Sequence, residues 1–120
     1  MIKQCGKNDI ELFGGSNAVR EFIYVKDLVE IILLSLIKLN ESCHINVGTN
    51  EKIKIKYLIR LIAKLTNFKK KVVFKNKIKD NSVRYSDKKY FNKLLNYKIK
   101  YNLSLGLKET IVWYKKRIKK

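Results

Sequence analysis

Proline is absent from this chain, alanine occurs only at Ala18 and Ala63, and histidine only at His44. Without proline there is no polyproline spacer, and no Gly/Ser-rich linker divides the sequence. Two cysteines, Cys5 and Cys43, stand far apart without metal-ligand spacing. With one histidine beside them, a zinc site is not expected, and both thiols are expected to be reduced. Long apolar runs are missing too. The charge-free stretch Ile31–Ile37 falls well short of the ~20 apolar residues a membrane span needs, so it reads as a buried helix. The N-terminus carries Lys3 and Lys7 but no apolar h-region, so the expected location is cytoplasmic, with no membrane partner. Acidic residues are few: 10 Asp and Glu face 28 Lys and Arg, for a net charge of +18.

What is present suits one modest folded unit. The length of 120 residues gives a prior of a single domain over 1–120, and 46% apolar residues is not a disordered composition. Lys, Ile, Asn and Tyr together make 57 residues. Their codons are A/T-rich, so a biased genome explains much of the lysine. The lysines are spread along the chain instead of forming one block. Basic charge is then the only support for a nucleic-acid partner. A basic nucleic-acid-binding protein is kept as the alternative, not the expected role.

Along the chain, Ile10–Phe13 is a short extended run ended by the turn Gly14-Gly15-Ser16-Asn17. Arg20–Val25 reads as a strand. Asp27–Leu39 reads as a helix whose densest face is Leu28, Ile31, Ile32, Ser35, Leu36 and Leu39; Leu33, Leu34 and Ile37 make it apolar nearly all round. Cys43–Val47 reads as a buried strand closed by Gly48-Thr49-Asn50. A second helix over Lys56–Thr66 has the inner stripe Leu58, Leu61, Ile62 and Leu65, with Asn67 as its left-handed terminator. Val72–Phe74 reads as a strand and Lys75–Tyr85 as a polar loop. Asp87–Leu95 is a short helix capped by Asp87, and Leu103–Ile118 a long one capped by Asn102. Its stripe is Leu103, Leu107, Ile111 and Tyr114. Gly106 within it costs ~1 kcal/mol against alanine and suggests close packing there. The class is α/β, in an α+β-like form: a small sheet with about four helices.

Four segments resemble the extended short-chain dehydrogenase/reductases, the NAD-dependent epimerase/dehydratase family. They are Phe13-Gly14-Gly15 running on through Arg20-Glu21-Phe22-Ile23 to Lys26-Asp27-Leu28; Ile45-Asn46-Val47-Gly48-Thr49; Asp80-Asn81-Ser82-Val83-Arg84 with Asp87; and Gly106-Leu107-Lys108-Glu109-Thr110-Ile111 with Trp113-Tyr114. The resemblance covers about 10–116 and points to the C-terminal, substrate-binding subdomain. The resemblance extends to GDP-L-fucose synthase and related sugar-nucleotide epimerases and dehydratases. It implies a nucleotide-sugar partner, with Phe13 offering its face to the base and Arg20 and Arg84 gripping the pyrophosphate. Two positions depart from the pattern: Tyr85, often basic in the fucose synthase-like proteins, and Lys26, usually an aspartate expected to cap the helix.

No Gly-x-Gly-x-x-Gly turn occurs, so no dinucleotide site is expected in these residues. The full-length family uses NAD(P) and a Tyr-x-x-x-Lys pair. Tyr85-Ser86-Asp87-Lys88-Lys89 has that spacing but lies in the third family segment, so no catalytic residue is assigned. Hence the expected chain supplies nucleotide-sugar contacts, lacks the Rossmann half, and is inactive alone. A separately encoded Rossmann half is a candidate partner, and a nonfunctional gene remnant is a further reading.

Overall fold

A computed structural model describes residues 9–13, 15–40, 42–75, 81–87 and 89–118. Cys5, Gly14 and Asp80 lie outside the described residues.

Two short pairings organise the chain. Strand β1 (Ile10–Phe13) lies parallel to β4 (Val72–Lys75), with Ile10 opposite Val72 and Phe13 opposite Lys75. Strand β2 (Val19–Glu21) lies antiparallel to β3 (Lys52–Lys54), with Arg20 opposite Ile53. Thus two two-stranded sheets stand where one small sheet was expected. Four helices accompany them among the described residues: α1 (Val25–Lys38), α2 (Ile55–Leu65), α3 (Lys89–Leu95) and α4 (Leu103–Ile118). The α/β class and the four helices agree with the sequence reading.

Two packing centres hold these elements. Ile31 of α1 meets Phe91 and Leu95 of α3, each 1% exposed, with Ile23, Leu34, Ile45 and Val47 around them. Helix α2 packs on α4 on its Leu58–Ile62 side, and Ile59, Ile62 and Ile111 are buried. Each amphipathic helix thus turns an apolar stripe to one neighbour.

Asparagine supplies the left-handed turns in a chain with five glycines: Asn50, Asn67 and Asn96 have φ of 66°, 54° and 46°. Asn67 ends α2, as expected. Asn102 Oδ1 accepts the Leu105 N–H at 2.9 Å, and Asp87 Oδ1 accepts the Lys89 N–H at 3.0 Å. Gly106 is a close-approach position: a Cβ there would lie 3.0 Å from Tyr24 Cβ.

Several expectations are corrected. The strand after the glycine turn covers only Val19–Glu21, and α1 begins two residues early, with Tyr24 at its N-cap and no side-chain cap bond. Lys26 is inside the first turn and pairs with Glu109 at 3.3 Å, so it is not a failed cap. Residues 43–47 keep an extended alternation, with Ile45 and Val47 inward, but pair with no described strand. A strand needs a ladder partner, and β2 takes Lys52–Lys54 instead. Within α2, Ile59 joins Ile62 as the buried pair, whereas Leu58, Leu61 and Leu65 are half-buried. The largest correction concerns α1. Its expected inner residues Ile32 and Leu36 are 51% and 76% exposed, and Leu33 and Ile37 are open as well. A helix apolar nearly all round needs neighbours on several sides, and α3 covers only the Ile31 side.

Candidate functional site

The site begins where β1 ends. Phe13 is 76% exposed, so it is not a core aromatic. The chain turns through Gly15, whose carbonyl accepts the Ala18 N–H at 3.2 Å, and enters β2. Phe13 and Arg20 line one cavity of about 260 Å³, floored by Ile55 and Ile59 of α2 and walled by Phe74 of β4.

Arg20 is half-buried and held by a fork. Its Nη1 donates to the Val19 carbonyl at 2.8 Å and the Ser82 carbonyl at 3.0 Å, and its Nη2 donates to Ser82 Oγ at 3.0 Å. These bonds orient the planar guanidinium and tie the 82–84 segment to β2. The same segment bonds β2 through its backbone: Val19 N donates to Ser82 O at 2.9 Å and Arg84 N to Val19 O at 3.1 Å. Val19 and Val83 form a parallel bridge. One step along, Arg20 and Arg84 hold matching positions on one side of the ribbon. They line a second, more open cavity of about 350 Å³ with Glu21, Ile23, Tyr85 and Ser86. Of these two cavities among the described residues, Phe13 lines the first and Arg84 the second, and Arg20 lines both. The three expected residues therefore line a groove made of two cavities that share Arg20.

Sequence reasoning missed what two carboxylates do: Glu21 lines the groove, and Asp27 holds the 97–101 segment. Glu21, beside Arg20, accepts from the Ser86 N–H at 3.0 Å, from Thr49 Oγ1 at 3.4 Å and from the Asn50 N–H. Burial pushes its carboxyl up, but the backbone bonds from Ser86, Asn50 and Thr49 and the Thr49 hydroxyl outweigh this, so its pKa falls below the usual carboxylate value. Gly48 packs directly on that carboxylate: a Cβ there would lie 2.7 Å from Oε2. The Asn46-Val47-Gly48-Thr49 stretch is thus a structural turn. Asp27 is fully buried, accepting from Tyr97 Oη at 2.8 Å, Lys100 N at 2.9 Å and Tyr101 N at 3.0 Å. Glu30 Oε2 lies 2.9 Å from the same Tyr97 hydroxyl oxygen, so the two carboxylates share its one proton. Burial, then those two carboxylates, raise its pKa well above the tyrosine range. The available signal was their place in the first family segment: both acids lie in Arg20–Leu28.

At the far end, Tyr85 and Ser86 continue into an open trough with Asn50, Asp87, Lys89 and Asn92. Tyr85 stands where kin often carry a cation, and Lys52 Nζ lies 3.4 Å from its ring centroid. A positive charge reaches that place from β3 instead. His44 and Cys43 are both exposed, outside the groove. No helix among the described residues is entered through a glycine-rich turn from a strand: α1 follows Tyr24 and α2 follows Lys54 directly. These helix starts do not fit a dinucleotide pyrophosphate, which needs close backbone approach at such a turn.

Comparison with known proteins agrees with this geometry. The NAD dependent epimerase/dehydratase family profile matches residues 1–48. Uncharacterized protein MJ1055 of Methanocaldococcus jannaschii is 34% identical over 88% of this chain and 33% of its own length. Probable GDP-L-fucose synthase 1 of Oryza sativa subsp. japonica is 27% identical over 88% of this chain and 32% of its own. The structure of UDP-glucose 4-epimerase from Thermotoga maritima with UDP-glucose superposes with a TM-score of 0.82 at 25% identity, over 98% of this chain and 38% of that one. The chain spans about a third of the length of the curated relatives it matches. In sequence and in fold it matches the C-terminal substrate-binding subdomain of the NAD-dependent epimerase/dehydratase family, and it is related to the GDP-L-fucose synthase-like enzymes.

Proposed function

We propose that the groove from Phe13 past Arg20 to Arg84 is the nucleotide-sugar site of an NAD(P)-dependent epimerase, reductase or dehydratase. The observation that carries this reading is Arg20, which lines both cavities and is oriented by Ser82. The exposed ring of Phe13 offers a face to the base. The two guanidinium groups, adjacent in register, suit the two charges of a pyrophosphate, since each guanidinium can bind phosphate oxygens in bidentate fashion. Cofactor and hydride chemistry belong to a nucleotide-binding half, in the same or another polypeptide. The apolar outer face of α1 supports such a partner, because Ile32, Leu33, Leu36 and Ile37 stand uncovered. The free, exposed Cys43 fits a reducing, cytoplasmic setting.

With one wall open to water, these 120 residues alone bind a nucleotide sugar weakly, at roughly millimolar Kd. Calorimetry at moderate salt with a GDP- or UDP-sugar tests the site. Arg84→Ala, at an exposed side chain, and Arg20→Ala each weaken binding about tenfold or more, in line with ~1.5–3 kcal/mol for a charged contact. Wild-type affinity in both variants means that only bulk charge holds the ligand. NADPH oxidation above a heat-killed control overturns the assignment of hydride chemistry to another half.

A further inference from the structure

A second surface lies on the opposite side of α2 from the groove. From Lys52 to Lys75 the chain carries nine Lys and Arg and no Asp or Glu. A/T-rich codons raise lysine everywhere, but the codons of Asp and Glu are not G/C-rich, so codon bias does not explain the missing acids. The fold gathers this charge. Ile55 and Ile59 of α2 line the Phe13–Arg20 cavity, and Ile62 is buried near α4. At 3.6 residues per turn, Lys56, Tyr57, Arg60 and Lys64 then share about 100° of the outer arc. Three of these four are exposed and Lys56 is half-exposed. Exposed Lys69, Lys70 and Lys71 continue the charge past the helix end. Glu109 and Glu30 pair with Lys26 and Lys100 on other elements, and Glu11 pairs with Lys75 at the far end of this stretch, away from α2.

The stripe also contains a ring. Tyr57 is 49% exposed, with Lys56 Nζ at 5.5 Å and Arg60 Cζ at 5.9 Å from its centroid. An aromatic face flanked by cations, on a helix without an acidic residue, is the pairing that binds single strands: bases stack on the ring and phosphates meet the cations. A membrane surface fits less well. An interfacial helix sinks an apolar face into lipid, whereas α2 turns its leucines and isoleucines inward and exposes Tyr57 as its one large apolar side chain. We propose that the outer face of α2, with Tyr57 as stacking platform and Lys56, Arg60 and Lys64 as phosphate contacts, binds single-stranded nucleic acid independently of the nucleotide-sugar groove.

Fluorescence anisotropy of the purified chain with a labelled oligonucleotide of about 15 nucleotides tests this. Tyr57→Ala leaves the net charge unchanged and weakens binding about tenfold, a value within the range of one stacked base, while Tyr57→Phe stays within about twofold of wild type. If Tyr57→Ala does not melt cooperatively, Tyr57→Leu keeps the bulk and removes the aromatic face. Arg60→Gln with Lys64→Gln weakens binding and flattens its salt dependence more than Lys93→Gln with Lys98→Gln, which removes the same charge elsewhere. Equal affinity in the wild type and the ring-less variant overturns the site, as does equal damage from the two charge pairs. Tighter binding to phosphatidylserine vesicles than to the oligonucleotide makes it a membrane surface instead. Competition by excess UDP-sugar places the oligonucleotide in the groove and overturns independence.

Discussion

The two ends of α1 are built on opposite terms. Its first turn is tied down by a buried polar knot: Asp27 takes three hydrogen bonds from the 97–101 segment, and Tyr97 and Lys100 also engage Glu30. Two turns further on, Leu33, Leu36 and Ile37 stand in the open. A carboxylate buried among matched donors specifies where one loop must sit, since any other arrangement strands a charge. An apolar face specifies only that something must cover it. The first region carries its own partners; the second calls for one from outside the described residues.

The largest expected effect breaks the knot. Asp27→Ala leaves the Lys100 and Tyr101 N–H groups without their acceptor and destabilises the fold by about 3–5 kcal/mol. Urea titration followed by circular dichroism measures it, and a loss below about 1 kcal/mol means that the loop finds other acceptors. Next comes a contrast within α1 itself. Ile31→Ala, at the buried centre, costs about 2–4 kcal/mol, whereas the double variant Leu36→Lys and Ile37→Lys changes stability by about 0.5 kcal/mol or less per site. The same double variant abolishes concentration-dependent self-association in sedimentation velocity, because an exposed apolar patch drives association. Strong destabilisation by the double lysine variant means that this face is already covered.

The smallest effect is a pH response at Glu21. Its folded pKa lies below the ordinary ~4.3, so its contribution is present above that value and fades as pH falls through the lower folded value. Acidification below the ordinary carboxylate range therefore releases the Thr49-Asn50 turn and the Ser86 loop. Amide exchange at Asn50 and Ser86 should rise there. In Glu21→Gln the step disappears; an unchanged step assigns it to another carboxylate.

Much of the fold was legible because periodicity and turn chemistry are local. Helix α4 spans the expected Leu103–Ile118, Asn102 caps it and Asn67 ends α2 in the left-handed region. Phe13, Arg20 and Arg84 were named from the family segments, and the first and last are exposed while Arg20 joins their cavities. What failed depended on partners. The 43–47 run has strand alternation but no described ladder partner, β3 formed at Lys-Ile-Lys just ahead of the second helix, and the densest face of α1 is covered at Ile31 and partly at Leu28, Ser35 and Leu39 but not at Ile32 and Leu36.

The sequence by itself determined the four helices, the Asn102 cap and the Asn67 terminator, the family segments and the surplus of positive charge, since these depend on neighbours within a few residues. Tertiary structure alone decided which donors meet Glu21 and Asp27, that Ser82 braces Arg20 from sixty-two positions away, and that Tyr57 shares a face with Arg60. Those outcomes depend on distance in space, where long-range contacts choose among faces that local pattern leaves equivalent.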